Sequence, residues 1–114
     1  MSFKTQTPDF IAELKYRTTD EGGRRTPANS GYRPQVKFPF SKMSTSGQQT
    51  FIGQDSVKPG ETVQAEIMIL SPQFFENMLE LGMTFEIGEG SRIVATGKLI
   101  EILNKDLIKK KAST

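Results

Sequence analysis

The sequence predicts an all-β domain of six or seven short strands, arranged as a barrel or a sandwich. Three observations carry this. Apolar and polar residues alternate in several segments, turns rich in Gly, Pro and Ser separate those segments, and a single stretch shows helical spacing. At 114 residues the chain has room for one domain, with a core large enough to fold without staples.

The elements follow in order. Residues 1–9 are polar and lack the apolar centre of a secretory signal, so they read as a tail. Phe10, Ala12, Leu14 and Tyr16 alternate with Ile11, Glu13, Lys15 and Arg17, the period of a half-buried strand. Residues 18–23 end it. Gln35 to Phe40 reads as a second strand with Val36, Phe38 and Phe40 on one side, and Pro34 keeps Arg33 out of the helical region before it. Ser41 to Gly47 reads as a turn, and Gln49 to Ile52 as a short third strand. In Lys58-Pro59-Gly60-Glu61, Pro fixes φ at the first central position and Gly supplies positive φ at the second, which predicts a type II turn. Thr62 to Leu70 follows as a strand with Val63, Ala65, Ile67 and Ile69 inward. Met83 to Ile87 and Arg92 to Leu103 complete the set, joined by a turn at residues 88–91.

Residues 71–82 break the pattern. Ser71 as N-cap, Pro72 at the first helical position, Phe74, Phe75, Met78 and Leu79 at helical spacing, and Gly82 as the stop predict one to two and a half helical turns. The apolar face of this insertion is expected to plug one end of the β-structure, with a partner-binding ridge as the alternative. Residues 105–114, containing Lys109-Lys110-Lys111, read as a basic, frayed tail. The domain proper is therefore expected at residues 10–104.

Charge and composition narrow the function. Residues 1–43 carry eight Lys/Arg against four Asp/Glu, residues 44–90 one against seven, and residues 91–114 six against two. If the two chain ends lie side by side, one side of the domain is basic and another acidic, a distribution suited to a polyanion. An ordinary solvated surface is the bland alternative. No Cys excludes disulfides and thiolate metal sites, and no His removes the commonest general base and metal ligand. No apolar stretch approaches a membrane span. No phosphate-cradling G-x-x-x-x-G-K-[ST] loop occurs, and Asn104-Lys105-Asp106 lacks the spacer of the guanine-reading N-K-x-D motif. Glu61, Glu66, Glu86 and Glu89 are not placed in a cleft by anything in the sequence. The expectation is a cytoplasmic, non-enzymatic protein without cofactor or bound nucleotide.

The most informative stretch is residues 22–35, Gly22-Gly23-Arg24-Arg25-Thr26-Pro27-Ala28-Asn29-Ser30-Gly31-Tyr32-Arg33-Pro34-Gln35. It is a cationic loop between strands, and guanidinium forks pair with phosphate or carboxylate. It resembles the GGRHTP…GYRPQ pattern of the third, C-terminal β-barrel domain of translation elongation factor Tu. Val57-Lys58-Pro59-Gly60-Glu61, Leu70-Ser71-Pro72 and Phe85-Glu86-Ile87-Gly88-Glu89-Gly90-Ser91-Arg92 extend the similarity over roughly residues 10–103. The resemblance implies a closed antiparallel Greek-key barrel, with residues 71–82 as a small insertion. It also implies a domain that helps hold the T-stem backbone of tRNA and packs on other protein domains. By position it assigns RNA contact to Arg24, Arg25 (in place of a family His), Gln35, Ser44 or Thr45, Glu89 and Gly90, with Arg33 in the same cationic loop. A carboxylate at Glu89 would accept from a 2′-hydroxyl or a guanine amino group.

Four departures set this chain apart. Ala28-Asn29 replaces a Phe pair, Glu86 a small apolar residue, Gly88 an Arg and Ser71 a basic residue. The first two suit a domain standing alone, since exposed apolar surface invites association; the other two thin the positive charge. Two partner classes follow: tRNA or another structured RNA on the basic loop, or a translation factor docked on Phe74, Phe75, Met78 and Leu79. A domain relic with its arginines paired internally is the remaining alternative.

Overall fold

The computed structural model describes residues 7–42 and 44–110. Six strands close into an antiparallel barrel: β1 (Phe10–Tyr16), β3 (Gln35–Lys37), β4 (Ser44–Phe51), β6 (Thr62–Ile69), β7 (Thr84–Glu89) and β8 (Arg92–Ile102). The order around the barrel is β1-β6-β4-β3-β7-β8, and β8 returns to β1. Strands β3, β4 and β6 are successive neighbours, after which the chain crosses over to place β7 beside β3. This is the Greek-key arrangement the resemblance implies. A second, two-stranded sheet pairs β2 (Ala28–Asn29) with β5 (Ser56–Val57). No helix among the described residues is long and apolar enough to cross a membrane.

The alternation read from the sequence fills the interior. Phe10, Ala12, Leu14 and Tyr16 from β1 and Val63, Ala65, Ile67 and Ile69 from β6 are all buried. Phe10, Phe38 and Phe85 form an aromatic cluster with centroids 5.6–6.2 Å apart. Small residues make room for it: a Cβ on Gly97 would lie 2.3 Å from Phe85 Cζ, and one on Gly47 2.6 Å from Val36 Cγ2. The turn at Lys58–Glu61 is as expected, with Gly60 at φ +89° and the Glu61 amide donating to the Lys58 carbonyl at 3.0 Å.

Several boundaries differ from expectation. The second strand ends at Lys37, because the chain turns at Pro39-Phe40. The expected Ser-rich turn is mostly strand, since Ser44, Thr45 and Ser46 pair with Lys37, Val36 and Gln35. Polar outward residues removed the alternation signal there. Strands β2 and β5 are two residues each, too short for an alternation signal.

Residues 71–82 form no α-helix. Only Pro72–Phe75 makes a 3₁₀ turn, and Ser71 gives it no side-chain cap. Asn77 then takes a positive φ of 63°. The backbone bonds that a helix would use internally are taken by other segments: the amides of Asn77, Leu79 and Gly82 donate to the carbonyls of Asp106, Leu107 and Leu99. Phe75 packs on Phe38 with centroids 5.3 Å apart, and Phe75 and Leu79 belong to the core.

The stretch after the barrel packs down rather than fraying. Lys105–Leu107 forms a 3₁₀ turn, Leu107 is fully buried, and Ile108 bridges to Leu79. Buried Asp9 ties both ends together: its carboxylate accepts from the Ile69 amide and Asn104 Nδ2, and its carbonyl from the Leu103 and Asn104 amides. Of the expected terminal tails, residues 1–6 and 111–114 lie outside the described residues.

Candidate functional site

The cationic loop is folded back by its own turn. Gly22 has a φ of +92°, and the Gly23 amide donates to the Thr18 carbonyl at 2.9 Å. Gly23 is buried so tightly that a Cβ there would sit 2.4 Å from the Arg17 carbonyl oxygen. The loop's middle is pinned by the β2–β5 pairing, and its exit by the Gly31 amide donating to the Gln49 carbonyl at 2.7 Å. Backbone bonds therefore hold the arginines in place.

Arg24 is wrapped by its surroundings. Its Nε donates to the Thr26 carbonyl at 3.2 Å, its Nη2 to Thr26 Oγ1 and the Pro27 carbonyl at 3.3 Å, and its Nη1 to Glu89 Oε2 in an ion pair. The guanidinium also lies 4.6 Å from the centre of the Tyr32 ring, a cation–π contact. The Tyr32 hydroxyl donates to the same Glu89 oxygen. Arg24, Tyr32 and Glu89 thus form one closed unit joining the loop to the β7–β8 hairpin. Its charges cancel.

Around this unit lies an open concavity of about 420 Å³ lined by Arg24, Arg25, Thr26, Glu89 and Arg92. Arg25 and Arg92 are exposed, and their side chains make no ion pair or hydrogen bond among the described residues. Three guanidiniums against one carboxylate leave the concavity positive, suited to an anion bound in fork geometry. Beside it, the missing side chain of Gly88 lets Lys37 cross β7, with its amine donating to the Gly90 carbonyl at 3.2 Å.

The remaining expected site residues separate into groups. Gln35 is exposed and pairs with Gly88, one residue from Glu89. Ser44 and Lys37 are partners in register and share the outer face with Gln35; Thr45 pairs with buried Val36 and shares the opposite face. Neither Ser44 nor Thr45 lines the concavity. Gly90 forms the hairpin tip with φ +60°. Arg33 is elsewhere: its Nε donates to Gln48 Oε1 at 2.9 Å, and it lines a different groove with Ser46, Met68 and Leu70. In the insertion, Phe75 and Leu79 are interior, while Phe74 and Met78 are exposed. Sequence reasoning did not single out Tyr32, Lys37 or Arg92 for the site. Arg92 lay in a quoted motif, and Tyr32 stood between two assigned arginines, but only their three-dimensional convergence marks them.

Both tyrosines are shifted upward. Burial raises the Tyr16 hydroxyl, and burial together with the Glu89 carboxylate raises that of Tyr32. Unfolded tyrosines ionise near pH ~10, so below that value both states hold the proton and the shifts have no effect. Above it the unfolded chain loses protons that the folded chain keeps, and stability falls. The urea midpoint is expected to drop as the pH rises from ~10 to ~12, and the drop should shrink in Tyr16→Phe and Tyr32→Phe variants.

A family model described as the elongation factor Tu C-terminal domain matches residues 3–103 of this chain.

Proposed function

The chain belongs to the elongation factor Tu C-terminal domain family, and from that premise we propose that it is a non-catalytic binding domain whose basic concavity grips the sugar-phosphate backbone of a tRNA-like stem. The observation that carries this reading is the pair of guanidiniums, Arg25 and Arg92, that have no partner among the described residues and flank one open concavity. Lys37, Gln35 and Ser44 extend the polar surface next to it along β3 and β4. Arg24 serves mainly to brace the hairpin, and Gly88 and Ser71 supply no charge. With about three to five phosphate contacts, affinity is micromolar or weaker and falls steeply with salt. Such a role places the protein in the cytoplasm, with RNA as partner and no nucleotide or cofactor of its own.

The test is binding of a labelled tRNA at about 50 and 200 mM salt. The Arg25→Ala/Arg92→Ala double variant is expected to weaken binding at least about tenfold at low salt and to reduce the salt slope by about 1.5–2. Absence of binding by the native chain at low salt, or indifference to the double variant, removes the reading. A protein partner is the second reading, favoured by Leu70, Phe74 and Leu81 at 74 %, 58 % and 66 % exposure. A stoichiometric protein captured from native lysate without RNA would support it.

A further inference from the structure

The Glu89 carboxylate already occupies the guanidinium of Arg24. Its Oε2 takes both the Nη1 of Arg24 and the Tyr32 hydroxyl, and the Tyr32 ring lies against the same guanidinium. The pair is only partly shielded, with 20 % of the Arg24 and 33 % of the Glu89 side chain exposed toward solvent. A ligand phosphate can therefore reach Arg24 only by competing with a carboxylate already held in place by a neutral donor. Meanwhile Arg25 and Arg92 stand open in the same concavity.

We propose that Glu89 is a built-in competitor for the anion site: it masks Arg24, limits the concavity to the phosphate held by Arg25 and Arg92, and thereby lowers affinity for the RNA backbone. The proposal rests on the backbone-binding reading above and deepens it. It reverses the sign of what a direct contact by Glu89 to a ribose or base would give. As a ligand group, Glu89 would strengthen binding; as a mask, it weakens binding. Tyr32 is a positioning residue in this scheme, because its hydroxyl fixes the carboxylate over Arg24 and touches no ligand.

Glu89→Gln is the informative variant. The amide oxygen still accepts from Tyr32 and Arg24, so the hairpin brace is kept while the negative charge is removed. With a fluorescent RNA duplex of about one helical turn as probe, Glu89→Gln is expected to tighten binding about three- to tenfold near 50 mM salt. The salt slope should steepen by about 0.9, the release expected for one added phosphate contact. Tyr32→Phe should tighten binding by a smaller factor. Glu13→Gln, which removes the same charge from an exposed β1 position in register with Lys98, should change binding less than about twofold at this salt, where screening confines charge effects to near neighbours. Weaker or unchanged binding by Glu89→Gln overturns the mask while leaving the backbone-binding reading in place. An equal gain from Glu13→Gln overturns it as well, by reducing the effect to net charge. If neither the native chain nor Glu89→Gln binds at low salt, both the mask and the backbone-binding reading fall.

Discussion

Truncating Phe10 to alanine is expected to destabilise the fold by about 3–5 kcal/mol, the usual cost of emptying a buried aromatic position. Phe10 is fully buried at the point where the barrel closes, pairing with Ile67 of β6 on one side and Ile102 of β8 on the other. Its ring meets Phe38 and Phe85 edge-on at 6.2 and 5.8 Å, so the loss includes both burial and aromatic contacts. Strands on both sides are fixed by ladder hydrogen bonds, so the cavity cannot collapse. Urea unfolding should show the midpoint falling by roughly 1–3 M with an unchanged slope. Phe40→Ala is the control: Phe40 stacks on Phe38 but is 42 % exposed, and its loss should cost about 1 kcal/mol or less. Equal effects of the two truncations would mean the aromatic cluster is not the centre of the core.

Gly97→Ala tests the same cluster from the opposite direction. One added methyl would lie 2.3–2.9 Å from three atoms of the Phe85 ring. A flexible side chain could swing away, but Phe85 is held between Phe10 and Phe38. Overpacking a boxed ring should cost about 1–3 kcal/mol. Gly97 does not use a positive φ, so the penalty is steric and not conformational. That distinction is measurable. Phe85→Leu in the Gly97→Ala background should recover part of the loss, giving a favourable coupling of about 0.5–3 kcal/mol in a double-mutant cycle. Strict additivity would assign the loss to something other than this contact.

These residues also show what could be read in advance. The inward sets on β1 and β6 alternate without interruption, because each strand has one face against the interior and one toward solvent. Pro59-Gly60 specified its turn by local sterics alone. Where that local signal is absent, the sequence was silent. Ser44–Gly47 has almost no apolar residues, and it becomes strand because β3 and β6 offer it hydrogen-bonding partners. The β2–β5 sheet exists because two loops meet. Residues 71–82 carried a helical spacing that lost to distant carbonyls at Leu99, Asp106 and Leu107. A short helix is marginal by itself, so long-range backbone bonds and burial of Phe75 and Leu79 decide its conformation.

The candidate site divides in the same way. The cationic loop, its glycines and the Glu89-Gly90 tip were visible as composition and motif, since charge and turn chemistry are properties of neighbouring residues. Which arginines remain open was not. Arg24 and Glu89 are separated by 65 residues in the chain yet form one ion pair with Tyr32, while Arg92, paired with Glu89 beside the tip of the β7–β8 hairpin, joins Arg25 in the same concavity. Sequence determined the barrel's strand faces and the presence of a basic loop, because both follow from local periodicity and residue type. Tertiary structure decided which charges cancel and which face solvent, because that depends on side chains brought together only when the barrel closes.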